Sequence, residues 1–155
     1  RPLRRLGLAV MMMALLLMSA GCQDVRRMAG ITTTIDDPAP GTPEAVLYDA
    51  LTAALEKDET KGWEAFRALL HSEQLSSAVS EKTWRTMNFS TLRRKARLYL
   101  EDDGKPAYQL AYTEDVAPAS LKLFIFNEKS EVPTPCTLKP DAAQNNAWRI
   151  SLCSL

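Results

Sequence analysis

The spacing of hydrophobic residues changes twice along the chain. Leu6–Met18 is an uninterrupted apolar run of thirteen residues. Over much of residues 43–87, apolar residues recur every three or four positions, which is the period of a helix with one buried face. After about residue 96 they alternate with polar residues, as in a half-buried β-strand. The order predicts an apolar leader, then helices, then strands.

The first helix is predicted over about residues 43–57. Thr42 is suited to cap its free amides, Pro43 to its first turn and Glu44 to the positive end of its dipole. The apolar stripe then runs for about four turns: Val46, Leu47, Ala50, Leu51, Ala54 and Leu55.

Two further helices are predicted with less regular patterns. The second begins near Trp63 and is expected to end near His71, with the imidazole at the negative end of the dipole. A third, short helix is expected to carry Trp84 and Met87 inward. Residues 92–97 are compatible with either a helix or a strand.

The second half predicts an antiparallel sheet that is covered on one side. A hairpin is expected around the turn Asp102–Lys105. The positions expected to face the helices are Tyr108, Leu110, Tyr112, Leu121, Leu123, Ile125, Trp148, Ile150 and Leu152. The fold class is therefore α+β, with two or three N-terminal helices packed on a curved antiparallel sheet of four to six strands.

The beginning of the chain has the plan of a bacterial secretory signal. Arg1, Arg4 and Arg5 precede the apolar run, and small residues follow it. As a helix the run would be about 20 Å long, which is short of the ~30 Å hydrocarbon core of a bilayer. Export is therefore favoured over a permanent transmembrane helix.

Ser19-Ala20-Gly21-Cys22 resembles the bacterial lipobox. The resemblance implies that Cys22 receives a diacylglycerol, becomes the mature N-terminus and holds the protein on a membrane. Gln23 stands where lipoproteins kept at the inner membrane typically have Asp, so the analogy favours the outer membrane, facing the periplasm. The alternative is ordinary cleavage that leaves Cys22 free.

The number of cysteines supports lipidation, because an odd cysteine in an oxidising compartment needs a role. If Cys22 carries lipid, Cys136 and Cys153 remain as a pair. They face each other in a hairpin whose turn is centred between Gln144 and Asn145. Pro133 and Pro135 leave two geometries open. If the prolines point away from the partner strand, the cysteines form a hydrogen-bonded pair with Cα atoms about 5.5 Å apart, and if they point toward it, Pro135 falls opposite Ser154. The competing interpretation is two free thiols.

The predicted organisation is a signal peptide over 1–21, a flexible tether over 22–41 and one globular domain over 42–155. The whole chain has 19 basic and 19 acidic residues. Removal of the signal takes away three arginines, so 16 basic residues face 19 acidic ones, a charge of about −3. This balance argues against nucleic acid as a partner.

Few residues indicate chemistry. The chain has one histidine, no zinc-binding or nucleophile motif and no phosphate loop, so we expect no metal, no cofactor and no enzyme activity. Tyr108, Tyr112 and Trp148 are candidates for a ligand pocket, or are simply core. A basic cluster is a candidate partner patch or a solvated helix end: Arg93, Arg94, Lys95 and Arg97.

The opening helix, the Lys57-Asp58 break and the closing Asn146-Ala147-Trp148-Arg149-Ile150 strand resemble the cystatin-like cone of the nuclear-transport-factor-two-like superfamily. The resemblance implies a curved sheet over helices with room for a cavity, a fold that serves enzymes and non-enzymes. The leading hypothesis is a non-catalytic envelope lipoprotein that binds an envelope protein or a small apolar ligand. The alternatives are a cavity enzyme of the isomerase or hydratase type using Tyr108 or Tyr112, and an accessory subunit of a secretion or surface assembly.

Overall fold

The predicted helices and the predicted strands form the two layers of the structure. The computed structural model describes residues 30–102, 105–116 and 118–155, and residues 33–155 form one compact unit. The α-helices are α1 (Pro43–Leu55), α2 (Glu59–Arg67), α3 (Ala78–Thr83) and α4 (Ser90–Lys95). The strands are β1 (Thr33–Ile35), β2 (Leu100–Asp102), β3 (Lys105–Val116), β4 (Ser120–Asn127), β5 (Ser130–Asp141) and β6 (Ala147–Cys153). The α+β class is confirmed.

Side-chain caps set the starts of α1 and α2. The Thr42 hydroxyl accepts a hydrogen bond from the Ala45 amide, as the sequence predicts. The Asp58 carboxylate accepts from the amides of Thr60 and Lys61, so this acid of the predicted break is a helix cap. Both helix starts are therefore fixed by local sequence.

Gly62 allows α1 and α2 to pack closely. A Cβ at this position would lie 2.6 Å from the Ala53 carbonyl oxygen and 3.3 Å from the Phe89 ring. The carbonyl belongs to the backbone and has no rotamer with which to move away. The close packing therefore requires glycine here.

The third helical segment differs from its prediction because a π-helix, Trp84–Phe89, separates α3 from α4. Its wider turn moves the buried position from i+3 to i+5, so Trp84 and Phe89 are buried while Met87 is 65% exposed. The predicted inward Met87 is wrong. Residues 92–97 are helical: α4 is followed by a 3₁₀ turn at Ala96–Leu98.

Helix α2 is shorter than predicted. It ends at Arg67, and Leu70 forms a parallel bridge with Ile150 of β6. The Ile150 amide donates to Leu69 O and the His71 amide donates to Ile150 O. His71 therefore does not end α2, because the chain leaves the helix to cover part of the outer edge of β6.

The sheet has six antiparallel strands in the order β1-β3-β4-β5-β6, with β2 paired to β3. Tyr108 pairs with Ile35 of β1 and with Leu100 of β2, so these strands lie on opposite edges of β3. β1 falls within the predicted tether of 22–41. The tether prediction is wrong for Thr33–Ile35, which are β-branched residues that pair with β3.

Two bulges place residues of β3 and β6 on the face of the sheet opposite to the predicted one. Between Leu110 and Tyr112 the register shifts by one residue, so that Tyr112 pairs with Phe124. The side chain of Tyr112 therefore lies on the face of the sheet away from the helices, and not on the predicted inner face. A second shift in the β5–β6 pairing leaves Leu152 61% exposed. Because side chains alternate faces, one extra residue moves every later residue to the opposite face.

Cys136 and Cys153 form a disulfide, as predicted, and are direct partners in the β5–β6 ladder. Their Cα atoms are 4.1 Å apart, which matches a pair without mutual backbone hydrogen bonds. The Ser154 amide donates to Pro135 O, so the second of the two geometries is observed. Pro135 has no amide hydrogen to donate back to Ser154.

The core lies between the helices and the inner face of the sheet. Trp63, Phe66 and Phe89 form an aromatic cluster with ring centroids 5.0–6.2 Å apart. From the sheet, the fully buried residues are Tyr108, Leu123, Ile125, Cys136, Leu138 and Ile150. No helix within the described residues has the length and hydropathy of a membrane span.

Candidate functional site

The three residues predicted to line a pocket do not meet. Tyr108 is fully buried and faces α1. Tyr112 lies on the opposite face of the sheet, where its ring stacks on Phe124 with centroids 4.2 Å apart. Trp148 is half-buried against the core in β6. The bulge in β3 separates the two tyrosines, and periodicity cannot reveal it.

Tyr108 has a structural hydrogen bond. Its hydroxyl donates to Glu44 O at 3.0 Å, which joins β3 to the start of α1. Burial, and secondarily the charge of Glu44, raises the pKa of Tyr108. The phenol is therefore poorly suited to give a proton to a substrate.

The basic cluster divides into one structural residue and three exposed ones. Arg93 Nη1 donates to Ala54 O at 3.2 Å and to Glu56 O at 2.6 Å, and the guanidinium lies 5.8 Å from the Phe89 ring centroid. It satisfies carbonyls at the end of α1. The side chains still exposed are those of Arg94, Lys95 and Arg97.

Of the three cysteines predicted to be covalently modified or paired, the structure describes two. Cys22 lies outside the described residues. Cys136 is fully buried and bonded to Cys153, so this pair is structural.

A pocket that the sequence analysis missed lies where the segment after α2 meets the ends of β5 and β4. Its volume is about 540 Å³. We call it the His71 pocket; its lining residues are His71, Ser72, Glu73, Pro118, Ala119, Ser120, Lys139, Pro140, Asp141, Ala142 and Ala143. Proline and alanine form much of the wall, and the polar groups come from three separate parts of the chain.

His71 is held in one orientation at the pocket. Its Nδ1 accepts a hydrogen bond from the Glu73 amide at 3.3 Å and caps the 3₁₀ turn Ser72–Leu75. The neutral ring therefore carries its proton on Nε2. The side chain is 9% exposed, and Nε2 has no hydrogen-bond partner within the described residues.

Asp141 forms the floor of the pocket and is 1% exposed. Its carboxylate accepts from the Ser72 amide at 2.8 Å, the Ser72 hydroxyl at 2.9 Å, the Ala143 amide at 3.0 Å and the Gln144 side chain at 2.9 Å. Burial alone would raise the pKa of Asp141, but these bonds outweigh burial and lower its pKa to about 2. Asp141 is therefore a charged anchor.

Ser120 and Lys139 complete the polar side of the pocket. Ser120 is 7% exposed, and its hydroxyl makes no hydrogen bond to any residue that the structure describes. Lys139 Nζ lies 3.2 Å from Glu73 Oε2, with side chains 39% and 61% exposed. An exposed pair of this kind contributes little stability and separates easily.

The polar residues of the pocket do not form a nucleophilic triad. The Ser72 hydroxyl donates to Asp141 and not to His71, whose Nδ1 is occupied by the Glu73 amide. Within the described residues no three potential metal ligands cluster. The arrangement offers hydrogen-bond donors and one exchangeable ion pair, which suits binding.

Sequence reasoning missed the pocket because its parts are far apart in the chain. Ser72 and Asp141 are 69 positions apart, and they meet where the segment after α2 pairs with β6 through Leu70 and Ile150. A local signal existed in Asp141 itself, an acid at the end of a strand and next to the turn formers of residues 142–146. In comparisons with known proteins, no family model, no curated protein and no solved structure matches this chain.

Proposed function

We propose that the protein is a bacterial envelope lipoprotein whose α+β domain has a non-catalytic binding or scaffolding role. The main support for a non-catalytic role is that the interior between the helices and the sheet is filled. The inner face of the sheet packs fully buried apolar side chains against α1 and the aromatic cluster. In a cavity enzyme this face would carry the reacting groups.

The placement of the tyrosines favours this function over a cavity enzyme. Tyr108 is fully buried with its hydroxyl bonded to Glu44 O, and Tyr112 is on the outer face. The buried carboxylate, Asp141, accepts four hydrogen bonds and holds the chain together. These groups are committed to structure.

The envelope location is carried by the sequence of residues 1–22. The positive flank, the apolar run and the Ser-Ala-Gly-Cys motif favour export and lipid attachment at Cys22. The disulfide between Cys136 and Cys153 adds support, because such bonds persist in oxidising compartments. The order of helices before an antiparallel sheet also fits a distant relation to the cystatin-like cone superfamily, which we include in the proposal.

The anchor is tested by expression of the full chain in a bacterium. We expect the wild type to fractionate with membranes and to gain the mass of a diacyl or triacyl modification. Cys22→Ala should lose both properties, while Cys153→Ala, which also removes a cysteine, should keep the lipid. An unmodified, freely soluble wild-type product that begins near residue 22 would contradict the anchor.

A further inference from the structure

The His71 pocket contains hydrogen-bond donors that the protein itself does not use. His71 and Ser120 are nearly buried as residues, and His71 Nε2 and the Ser120 hydroxyl have no protein partner within the described residues. Neither atom is itself buried, because every buried side-chain nitrogen or oxygen in the described part of the chain has a hydrogen-bond partner. Both atoms therefore remain accessible, and their partner is water or a ligand. Nε2–H can only donate, because Nδ1 already accepts from the Glu73 amide. The missing partner is therefore an acceptor.

The charges of the pocket restrict the class of ligand. Lys139 contributes one positive charge, and Glu73 and Asp141 contribute one negative charge each. Asp141 is saturated with hydrogen bonds and cannot take up a ligand group. A phosphate dianion would meet two carboxylates, and a simple cation would leave the donors unused. A molecule with one carboxylate and one ammonium group satisfies both sets of groups without adding net charge.

We propose that the His71 pocket binds a free α-amino acid with an apolar side chain. The carboxylate accepts from His71 Nε2–H, Ser120 and Lys139, and the ammonium group replaces Lys139 as the partner of Glu73. The side chain packs on the apolar wall formed by Pro118, Ala119, Pro140, Ala142 and Ala143. This assignment rests on the proposed function and specifies its binding part.

His71 provides a direct readout, because it is the only histidine in the chain. The full chain, expressed with isotope-labelled histidine and purified in a non-ionic detergent, gives a single imidazole signal. The signal is followed by NMR at constant pH and ionic strength while L-leucine, 4-methylpentanoate or isopentylamine is added. The last two compounds are leucine without its ammonium group and leucine without its carboxylate.

We expect a saturable shift with leucine, weaker binding of 4-methylpentanoate and no saturable shift with isopentylamine. Lys139→Met and Ser120→Ala should each weaken leucine binding about tenfold or more, because each removes a hydrogen bond to a charged group. Glu73→Gln should weaken leucine but leave 4-methylpentanoate unchanged. Lys129→Met is the matched control, since Lys129 is exposed in the β4–β5 turn, and it should change nothing.

The proposal is overturned if leucine gives no saturable shift, if 4-methylpentanoate binds as tightly as leucine, or if Lys139→Met binds leucine like the wild type. These failures are separable from failure of the proposed function. Unmodified Cys22 removes the anchor but not the pocket. Conversion of bound leucine to another compound, detected in the ligand's own NMR spectrum, refutes the non-catalytic role while leaving the pocket assigned.

Discussion

At the scale of single residues, Asp141 shows how a charge is kept inside this fold. Two of its hydrogen bonds come from Ser72, after α2, and two from the turn that follows β5. A buried carboxylate with four donors is stable in its charged form, whereas the same carboxylate without them would favour protonation. Asp141 therefore joins the helical layer to the β5–β6 hairpin.

The depressed pKa of Asp141 predicts how stability depends on pH. In the unfolded chain the carboxyl has a pKa near 3.8, and in the folded chain its pKa is about 2. The unfolded chain therefore takes up the proton first as pH falls. The stabilisation, about 2 kcal/mol from this difference, is fully present above roughly pH 5 and is lost between about pH 4 and 2.

We expect Asp141→Asn to lower the free energy of unfolding at pH 7 by about 2 kcal/mol and to flatten the acid-dependent loss of stability. Urea unfolding between pH 2 and 7 measures both effects. Asp115→Asn is the control, because Asp115 is an exposed aspartate of the same sheet. Equal stability of the wild type and Asp141→Asn at pH 7 would show that the four hydrogen bonds contribute nothing net.

At the scale of elements, the end of α1 depends on a residue from another helix. The sequence of α1 has no basic residue in its last turn, and its final carbonyls are met by Arg93 of α4. The guanidinium passes close to Gly62, since a Cβ added there would lie 3.2 Å from Arg93 Nη1. Helix packing and helix capping are therefore coupled at this point.

The capping role of Arg93 is tested by comparing substitution of Arg93 with substitution of its neighbour Arg94. Arg93→Met keeps an apolar stem but leaves the carbonyls of Ala54 and Glu56 without their donor, and should cost about 1–2 kcal/mol. Arg94→Met removes a side chain whose described hydrogen bond, to Thr91 in the same helix, is exposed to solvent, and should change stability by less than about 0.5 kcal/mol. Thermal and urea unfolding compare the two. Equal losses would contradict the capping role of Arg93.

At the scale of the whole molecule, the disulfide restricts the unfolded chain. It closes a loop with a sequence separation of 17 at the end of the sheet. In the chain-entropy model a loop of this size contributes about 3 kcal/mol. The bond therefore stabilises the fold chiefly by limiting the alternatives to it.

Reduction of the wild type should lower the free energy of unfolding by about 3 kcal/mol, measured as a shift of the urea midpoint with and without reductant. The double variant Cys136→Ala/Cys153→Ala should resemble the reduced protein and be insensitive to reductant. An unchanged urea midpoint on reduction would contradict a stabilising disulfide.

Local patterns were sufficient to predict α1, the class of the fold and the cysteine pair. Thr42 and Pro43 act on the backbone beside them, the apolar stripe of α1 specifies its buried face, and the hairpin register follows from where turn residues stand. These are short-range effects, which a sequence expresses directly.

The tertiary structure decided which predicted surfaces exist. A single extra residue in β3 moved Tyr112 away from Tyr108, and the π-helix turned Met87 to solvent. Neither changes the hydrophobic pattern, because bulges and wide turns arise from packing against neighbouring elements. The residues predicted to line one pocket are therefore separated in the structure.

The sequence by itself determined α1, the order of helices before strands and the candidate lipidation site at Cys22. The tertiary structure alone decided where the polar groups of the His71 pocket meet, since His71, Ser120 and Lys139 come from three distant parts of the chain. Their meeting depends on the Leu70–Ile150 bridge and the Ser72–Asp141 bonds. Such long-range pairings leave no periodic trace in a sequence, because they require the assembled core to bring the partners together.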